Sequence, residues 1–387
     1  IYYESSRGCP FSCSYCLSSI DKCLRFREIE LVKKELQFFI DKKVPQVKFV
    51  DRTFNCRHDH AMAIWTYIHE HDNGITNFHF EVSADLLNEK EIALINRMRP
   101  GLIQLEIGVQ SANEITIREI NRTMKIDVLS TIVDKIKKGN NVHQHLDLIA
   151  GLPYEGYESF GKSFDRVYKM NPEQLQLGFL KVLKGSVMHD RAQEYGIVYQ
   201  DRAPYEVLST KWLTYAEVIR LKQIEEMVEV YYNSGQFCCT MAALEQEFAS
   251  PFCMYECLAA YYDEKNAFAV SHSRIGRYEI LYDFIVKTCK ERSEQYMEML
   301  TLDMYLRDNV KKRPEFLRES GVSSDEAAAF YKKEEKERTY LKAYEGYDRR
   351  QMRKMTHLER IDGKTVLFDY KNRDPLTGNA AIYYLSE

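Results

Sequence analysis

The run Glu4-Ser5-Ser6-Arg7-Gly8-Cys9-Pro10-Phe11-Ser12-Cys13-Ser14-Tyr15-Cys16 carries three cysteines at C-x3-C-x2-C spacing, on a loop expected just after an extended segment. Three thiolates so spaced can reach three corners of one small iron–sulfur cluster. They leave the fourth corner without a protein ligand. A closed electron-transfer cluster takes four cysteines, so three suggest an iron kept open for a substrate. Two other readings stand beside this one. Zinc usually takes four ligands, commonly as two separated pairs, and Cys23 or His58 would then supply the fourth. The third reading is three cysteines with no shared role.

The elements around the triplet alternate. Strands are expected over Ile1–Ser5, Gln46–Val50, Phe78–Ser83, Leu102–Val109, His143–Ile149 and Gln174–Val182. Helices are expected between them over Glu28–Lys42, His58–His71, Asn88–Met98, Asp127–Lys138 and Tyr157–Lys169, with Asn88 and Glu91 as a helix start. Strands separated by helices of this length imply βα units and a parallel sheet. Within the strands one face is polar. Gln104, Glu106, Gly108 and Gln110 oppose Leu105, Ile107 and Val109, while His143, His145 and Asp147 oppose Gln144, Leu146 and Leu148. His79 and Glu81 oppose Phe80 and Val82 in the same way. A sheet covered by helices on both faces would be apolar throughout. One polar face fits a sheet curved around a wet or ligand-filled lumen. The expected fold is therefore α/β, a partial (β/α)6 TIM-like barrel over residues 1–185, with the cysteine loop at its C-terminal mouth.

After Lys181 the rhythm stops, and residues 186–387 read as a mainly helical C-terminal domain. Leu213–Tyr232 is expected to be one helix, opened by Thr214 and Glu217 as a capping box. A small hairpin is expected from Thr365–Tyr370 and Ala380–Leu385. Cys253 and Cys257 are spaced i,i+4 in an expected helix, near Cys238 and Cys239. Packing explains these four better than a second metal site does.

The 387 residues are 45% hydrophobic and 29% charged, ordinary for a globular protein, and the net charge of −4 gives no whole-chain footprint for nucleic acid. No apolar run is long enough to span a membrane. Ten cysteines in a chain this long do not make a disulfide framework. Reduced cysteines and an oxygen-sensitive cluster both point to a cytoplasmic setting. The start at Ile1, without Met and inside an expected strand, suggests a piece of something longer.

The triplet with Tyr15 before its third cysteine resembles the radical S-adenosylmethionine (radical SAM) superfamily. The resemblance implies a 4Fe-4S cluster on Cys9, Cys13 and Cys16, whose open iron chelates S-adenosylmethionine. One electron then cleaves the sulfonium to give a 5′-deoxyadenosyl radical. It further implies a reductant such as flavodoxin or ferredoxin. The segment Glu106-Ile107-Gly108-Val109-Gln110-Ser111, followed by Arg122, is similar to oxygen-independent coproporphyrinogen oxidase and its relatives. Carried over, Glu81, Gln110, Arg122 and Asp147 would bind S-adenosylmethionine, with Tyr3 a further contact. Arg52 and Thr53 stand where the methionine end is held, although the Gly-Gly-Glu run of many members is missing. Asp51 beside them serves equally well as a helix N-cap. In Asp147-Leu148-Ile149-Ala150-Gly151-Leu152-Pro153, Gly151 lets backbone approach the adenosine, and Ile149 can pack against adenine.

The later half resembles an uncharacterised domain that often follows radical SAM cores with a cobalamin-binding domain upstream. Cobalamin supplied from before Ile1, and hence methyl transfer, is the expectation that follows. The alternatives are a cobalamin-free oxidoreductase of the coproporphyrinogen type and a non-catalytic metal-binding module. The substrate is not legible.

Overall fold

A computed structural model describes residues 1–385. Six strands form one parallel sheet in chain order: β1 (Tyr2–Tyr3), β2 (Gln46–Phe49), β3 (Asn77–Val82), β4 (Ile103–Gln110), β5 (His143–Ala150) and β6 (Gln174–Phe179). The order never reverses. Right-handed crossovers then put every connecting helix on the same side of the sheet, which leaves the other side as a lumen. Among the described residues β1 and β6 do not pair, so the partial (β/α)6 barrel stays open.

The helix side is where the burial lies. Leu105, Ile107 and Val109 of β4 are fully buried, while the alternate residues are only partly so. Helix α1 (Ile29–Asp41) brings Val32, Leu36 and Ile40 at i, i+4 spacing, and its buried stripe is one side-chain row wide. Each such residue contributes about 1.5–3 kcal/mol relative to exposure. Phe49, Phe54, Trp65 and Phe80 pack edge and face between β2, β3 and helix α2 (His58–Glu70). Helix α3 (Glu89–Ile95) starts with both bonds of the Asn88–Glu91 capping box. Helices α4 (Ile126–Lys137) and α5 (Tyr157–Tyr168) complete the layer.

The first expected strand is shorter than its apolar pattern. Pairing stops after Tyr3, and Ser6–Arg7 turns to pair with Arg25–Phe26. Asp51 is the cause. It is fully buried, and it takes hydrogen bonds from the Ser5 amide (3.1 Å), the Ser5 hydroxyl (2.8 Å) and the Ser6 hydroxyl (2.5 Å). Asp51 therefore clamps the segment that enters the cysteine loop and caps no helix.

The chain divides into two compact units, residues 1–229 with 251–255, and residues 230–250 with 256–387. The first contains the barrel and the helix Tyr215–Val228, whose Thr214–Glu217 capping box is complete. The second is mainly helical, with long helices at Arg274–Thr288, Ser293–Arg307 and Ser324–Glu337. Its last part is a three-stranded antiparallel sheet rather than the expected hairpin. Thr356–Ile361 pairs with Lys364–Arg373 through the left-handed turn Asp362-Gly363, and Ala380–Tyr384 adds the third strand. The extra strand was hidden because His357, Glu359 and Arg360 break its apolar pattern. Its Glu359 is buried against Arg313 at 2.5 Å.

Candidate active site

The cysteine loop follows β1 at the C-terminal mouth of the barrel and is bolted down on both sides. The Ser14 amide donates to Ile120 O (3.0 Å), Asn121 Nδ2 to Ser12 O (3.0 Å), and the Met188 amide to Ser14 O (2.8 Å). Gly8 enters the loop at φ +96°, and a Cβ there would press on the Cys23 carbonyl, so only glycine fits. Cys9 and Cys13 are buried and Cys16 is half-buried, with its amide bonded to Cys13 O (3.1 Å). Cys9 Sγ lies 3.6 Å from Thr53 Oγ1 beyond β2, and Cys13 Sγ lies 3.9 Å from Arg122 Nη1. The loop thus reaches from the β2 edge of the mouth to the segment after β4. Among the described residues no three His, Cys, Asp or Glu side chains converge on a point suited to one metal ion. Ligands of separate corners of a four-iron cluster need not converge in that way. His58 is engaged by Glu91 at 3.0 Å.

Arg122 is brought in from the turn after the short helix Glu114–Glu119. Its Nη2 donates to Gly108 O, and its Nη1 reaches Tyr15 Oη at 3.4 Å. Gly108 can offer that carbonyl because the β4–β5 register shifts between Gly108 and Gln110, where Gln110 takes φ +72°. A Cβ on Gly108 would collide with the Gln110 amide, so the glycine makes room for a folded-back Gln110. Beside Arg122 lies a cavity of about 460 Å³, lined by Ser111, Ala112 and Met124 among others.

The lumen carries most of the charge. Glu81 on β3 and Glu106 on β4 are register partners. Glu106 accepts from His79 Nε2 (2.8 Å) and Lys48 Nζ (3.1 Å), and these bonds hold its carboxyl down at about 2. Burial, then the charge of Glu106, pushes Glu81 up to about 7. Asp147 on β5 is raised by burial, with His145 opposing. His145 Nε2 stands 3.0 Å from Asp147 Oδ1 but off the angle of a hydrogen bond, and both atoms are buried without a bonded partner. His143 is driven down to about 4 by burial and by its histidine neighbours, so it is neutral at pH 7. Gln110 Oε1 and Arg122 Nε are likewise sealed from solvent with no partner. Buried polar atoms are normally satisfied, and this concentration at one strand end marks a place completed by something else.

Most of the expected residues converge here. Cys9, Cys13, Cys16, Tyr15, Thr53, Glu81, Gln110, Arg122 and Asp147 all face the mouth or the lumen. Arg52 is exposed, yet close enough to lower Glu81. Ile149 is half-buried on the lumen face of β5, and Gly151 follows at φ +90°. Tyr3 is the exception. Its hydroxyl donates to Glu35 of α1 at 2.7 Å and its ring packs on Phe39 and Phe49, so its side chain lies on the helix side of β1. The site assignment left out Lys48, His79, Glu106 and His145, although strand alternation had put the last three on the polar face.

Residues 3–167 match a family model described as the radical SAM superfamily, and residues 193–375 match one described as a protein of unknown function, DUF4080. Oxygen-independent coproporphyrinogen III oxidase of Salmonella typhimurium is 29% identical over 107 residues, 26% of this chain and 23% of the oxidase. Bacteriochlorophyllide d C-12(1)-methyltransferase of Chlorobaculum tepidum is 26% identical over 171 residues, 42% of this chain and 35% of that protein. The matched stretches thus span about a quarter to a third of the length of these relatives. The structure of the radical S-adenosylmethionine methyltransferase TsrM from Kitasatospora setae, with cobalamin and a [4Fe-4S] cluster bound, superposes with a TM-score of 0.46 at 13% identity, over 55% of this chain and 43% of that one. No described helix is long and apolar enough to cross a membrane. The segment 3–167 thus matches the radical SAM superfamily.

Proposed function

We propose that Cys9, Cys13 and Cys16 hold a 4Fe-4S cluster and that the barrel mouth binds S-adenosylmethionine against it. The observation that carries this reading is the set of buried polar atoms left without a hydrogen bond at the barrel mouth, Gln110 Oε1 and Arg122 Nε, together with Asp147 Oδ1, which meets only His145 Nε2 at 3.0 Å. S-adenosylmethionine carries a cationic sulfonium, an ammonium, a carboxylate and ribose hydroxyls. The orphaned donor and acceptors, with a raised Glu81, suit such a mixed ligand. When bound, the cluster supplies the electron that cleaves the sulfonium.

The chain's own residues then position and enclose. Arg52 and Thr53 flank the methionine end near Cys9. Glu81 and Asp147 offer carboxylates to ammonium or hydroxyl donors, and Arg122 offers a guanidinium to a carboxylate. Gly151 and Ile149 form the apolar floor under the adenosine. A flavodoxin or ferredoxin delivers the electron.

The reaction proposed is methyl transfer to an unactivated carbon, with cobalamin supplied by a domain upstream of Ile1. It is supported by likeness to a methyltransferase over a longer stretch than the likeness to the oxidase. The oxidase-like reading rests on the higher identity of that shorter stretch. The test is anaerobic reconstitution, dithionite and S-adenosylmethionine, with and without added cobalamin. Release of 5′-deoxyadenosine and methionine supports radical cleavage. S-adenosylhomocysteine formed only with cobalamin supports methyl transfer. A colourless zinc-loaded protein that releases neither product overturns the proposal.

A further inference from the structure

Arg122 is a cation with no anion of its own. Among the described residues no carboxylate pairs with it, and its electrostatic partners are Tyr15, Cys13 and, more weakly, Asp85. The residue as a whole is half-exposed, but its Nε is sealed from solvent and bonded to nothing. Nη2 is fixed on the Gly108 carbonyl released by the β4 bulge, which aims Nη1 at Tyr15 Oη (3.4 Å) and Cys13 Sγ (3.9 Å). Burying a guanidinium is costly unless a counter-charge lies beside it.

We infer that, before S-adenosylmethionine binds, the counter-charge to Arg122 is the cluster, at the corner held by Cys13, and that Arg122 sets its reduction potential. The inference rests on the cluster reading above and adds a role to Arg122 beyond contact with S-adenosylmethionine. Reduction brings one electron from the external reductant to the cluster, with no bond made or broken, and makes the cluster more negative by one charge. A fixed positive charge and an N–H directed at a ligand sulfur both stabilise that reduced state. Tyr15 Oη accepts from the same Nη1 at 3.4 Å and helps hold the guanidinium in place. The bulge at Gly108 is therefore part of the redox device as well as of the ligand cleft.

The test is a potentiometric titration of the reconstituted protein without S-adenosylmethionine, followed by the electron paramagnetic resonance of the reduced cluster. At a fixed potential, Arg122→Gln should lower the ratio of reduced to oxidised cluster about tenfold, which for a one-electron couple is about 59 mV. Arg122→Lys, which keeps the charge, should shift it several-fold less. Tyr15→Phe should shift it in the same direction as Arg122→Gln. Iron and sulfide are measured on every sample. If the unaltered protein binds no cluster, the cluster reading itself has failed. If it binds one and Arg122→Gln titrates at the same potential, only the redox role is overturned. If Arg122→Gln loses iron, Tyr15→Phe decides: an unchanged potential there overturns the inference, and a lowered one supports it.

Discussion

Glu81 and Glu106 face each other across neighbouring parallel strands, yet one carboxyl is held at about 2 and the other is pushed up to about 7. The asymmetry comes from who reached Glu106 first. Lys48 and His79 both bond to it, and a carboxylate that only accepts requires His79 to carry its proton on Nε2. Among the described residues Glu81 has no hydrogen-bond or ion-pair partner, and it lies beside the Glu106 anion. One acid of the pair is fixed by two bonds, and the other is left close to neutral pH in its titration.

Stability should follow that division. The Glu81 carboxyl titrates near 7 in the folded protein against 4.5 when unperturbed. Its ionisation therefore opposes folding, with no penalty below pH 4.5 and the full penalty above pH 7. Glu81→Gln should be more stable than the unaltered protein at pH 8, by about 1–2 kcal/mol after discounting for partial exposure. The difference should vanish near pH 4.5. Urea denaturation of the metal-free protein at both pH values checks it.

Glu106 has the opposite sign. Its carboxyl is depressed from 4.5 to about 2, so its stabilisation is present above pH 4.5 and is lost as pH falls toward 2. Glu106→Gln should cost about 2 kcal/mol at pH 7, because Lys48 and His79 lose their shared anion. In a double-mutant cycle the Glu81 effect should shrink once Glu106 is neutral, since part of its rise comes from that charge.

Asp51 should prove indispensable to the cysteine loop. It is fully buried and satisfies one amide and two hydroxyls. Asp51→Ala would strand the Ser5 amide and the Ser6 hydroxyl, leave the Ser5 hydroxyl only His60 Nε2 at 3.0 Å, and should cost about 2–3 kcal/mol. Because Ser5 and Ser6 lead into the loop, the variant should also retain less iron after reconstitution. Normal iron content with lowered stability would show that the clamp serves folding alone.

Much of the barrel was legible because strand alternation writes the lumen directly into the sequence. Glu81, Gln110 and Asp147 lie on the polar face as their spacing requires. What was not legible depends on contacts between distant segments. No local pattern reveals that Asp51 ends β1 early by binding Ser5 and Ser6. Nothing in Ile120-Asn121-Arg122-Thr123 says that the guanidinium will find a carbonyl freed by a bulge fourteen residues earlier. Tyr3 stands among the expected contacts by its position before Cys9, which does not fix the side of β1 that its ring takes, and the ring packs toward Glu35 and Phe39. The strand Thr356–Ile361 of the terminal sheet was lost among its charges.

Gly151→Ala should be poorly tolerated. The residue sits at φ +90°, and an added Cβ would stand 2.8 Å from Val207 Cγ1. Backbone strain and overpacking together should cost about 2–4 kcal/mol, and Val207→Ala should recover only the packing part. Thermal denaturation of the single and double variants measures the split.

The central claim is a cluster with one iron left for an external ligand, and spectroscopy of the reduced, oxygen-free protein addresses it most directly. The account predicts about four irons per chain, lost when Cys9, Cys13 or Cys16 is replaced by Ala and retained when Cys238 is. It further predicts that the electron paramagnetic resonance signal changes when S-adenosylmethionine is added. A signal indifferent to S-adenosylmethionine, or iron that survives loss of all three loop cysteines, would contradict it.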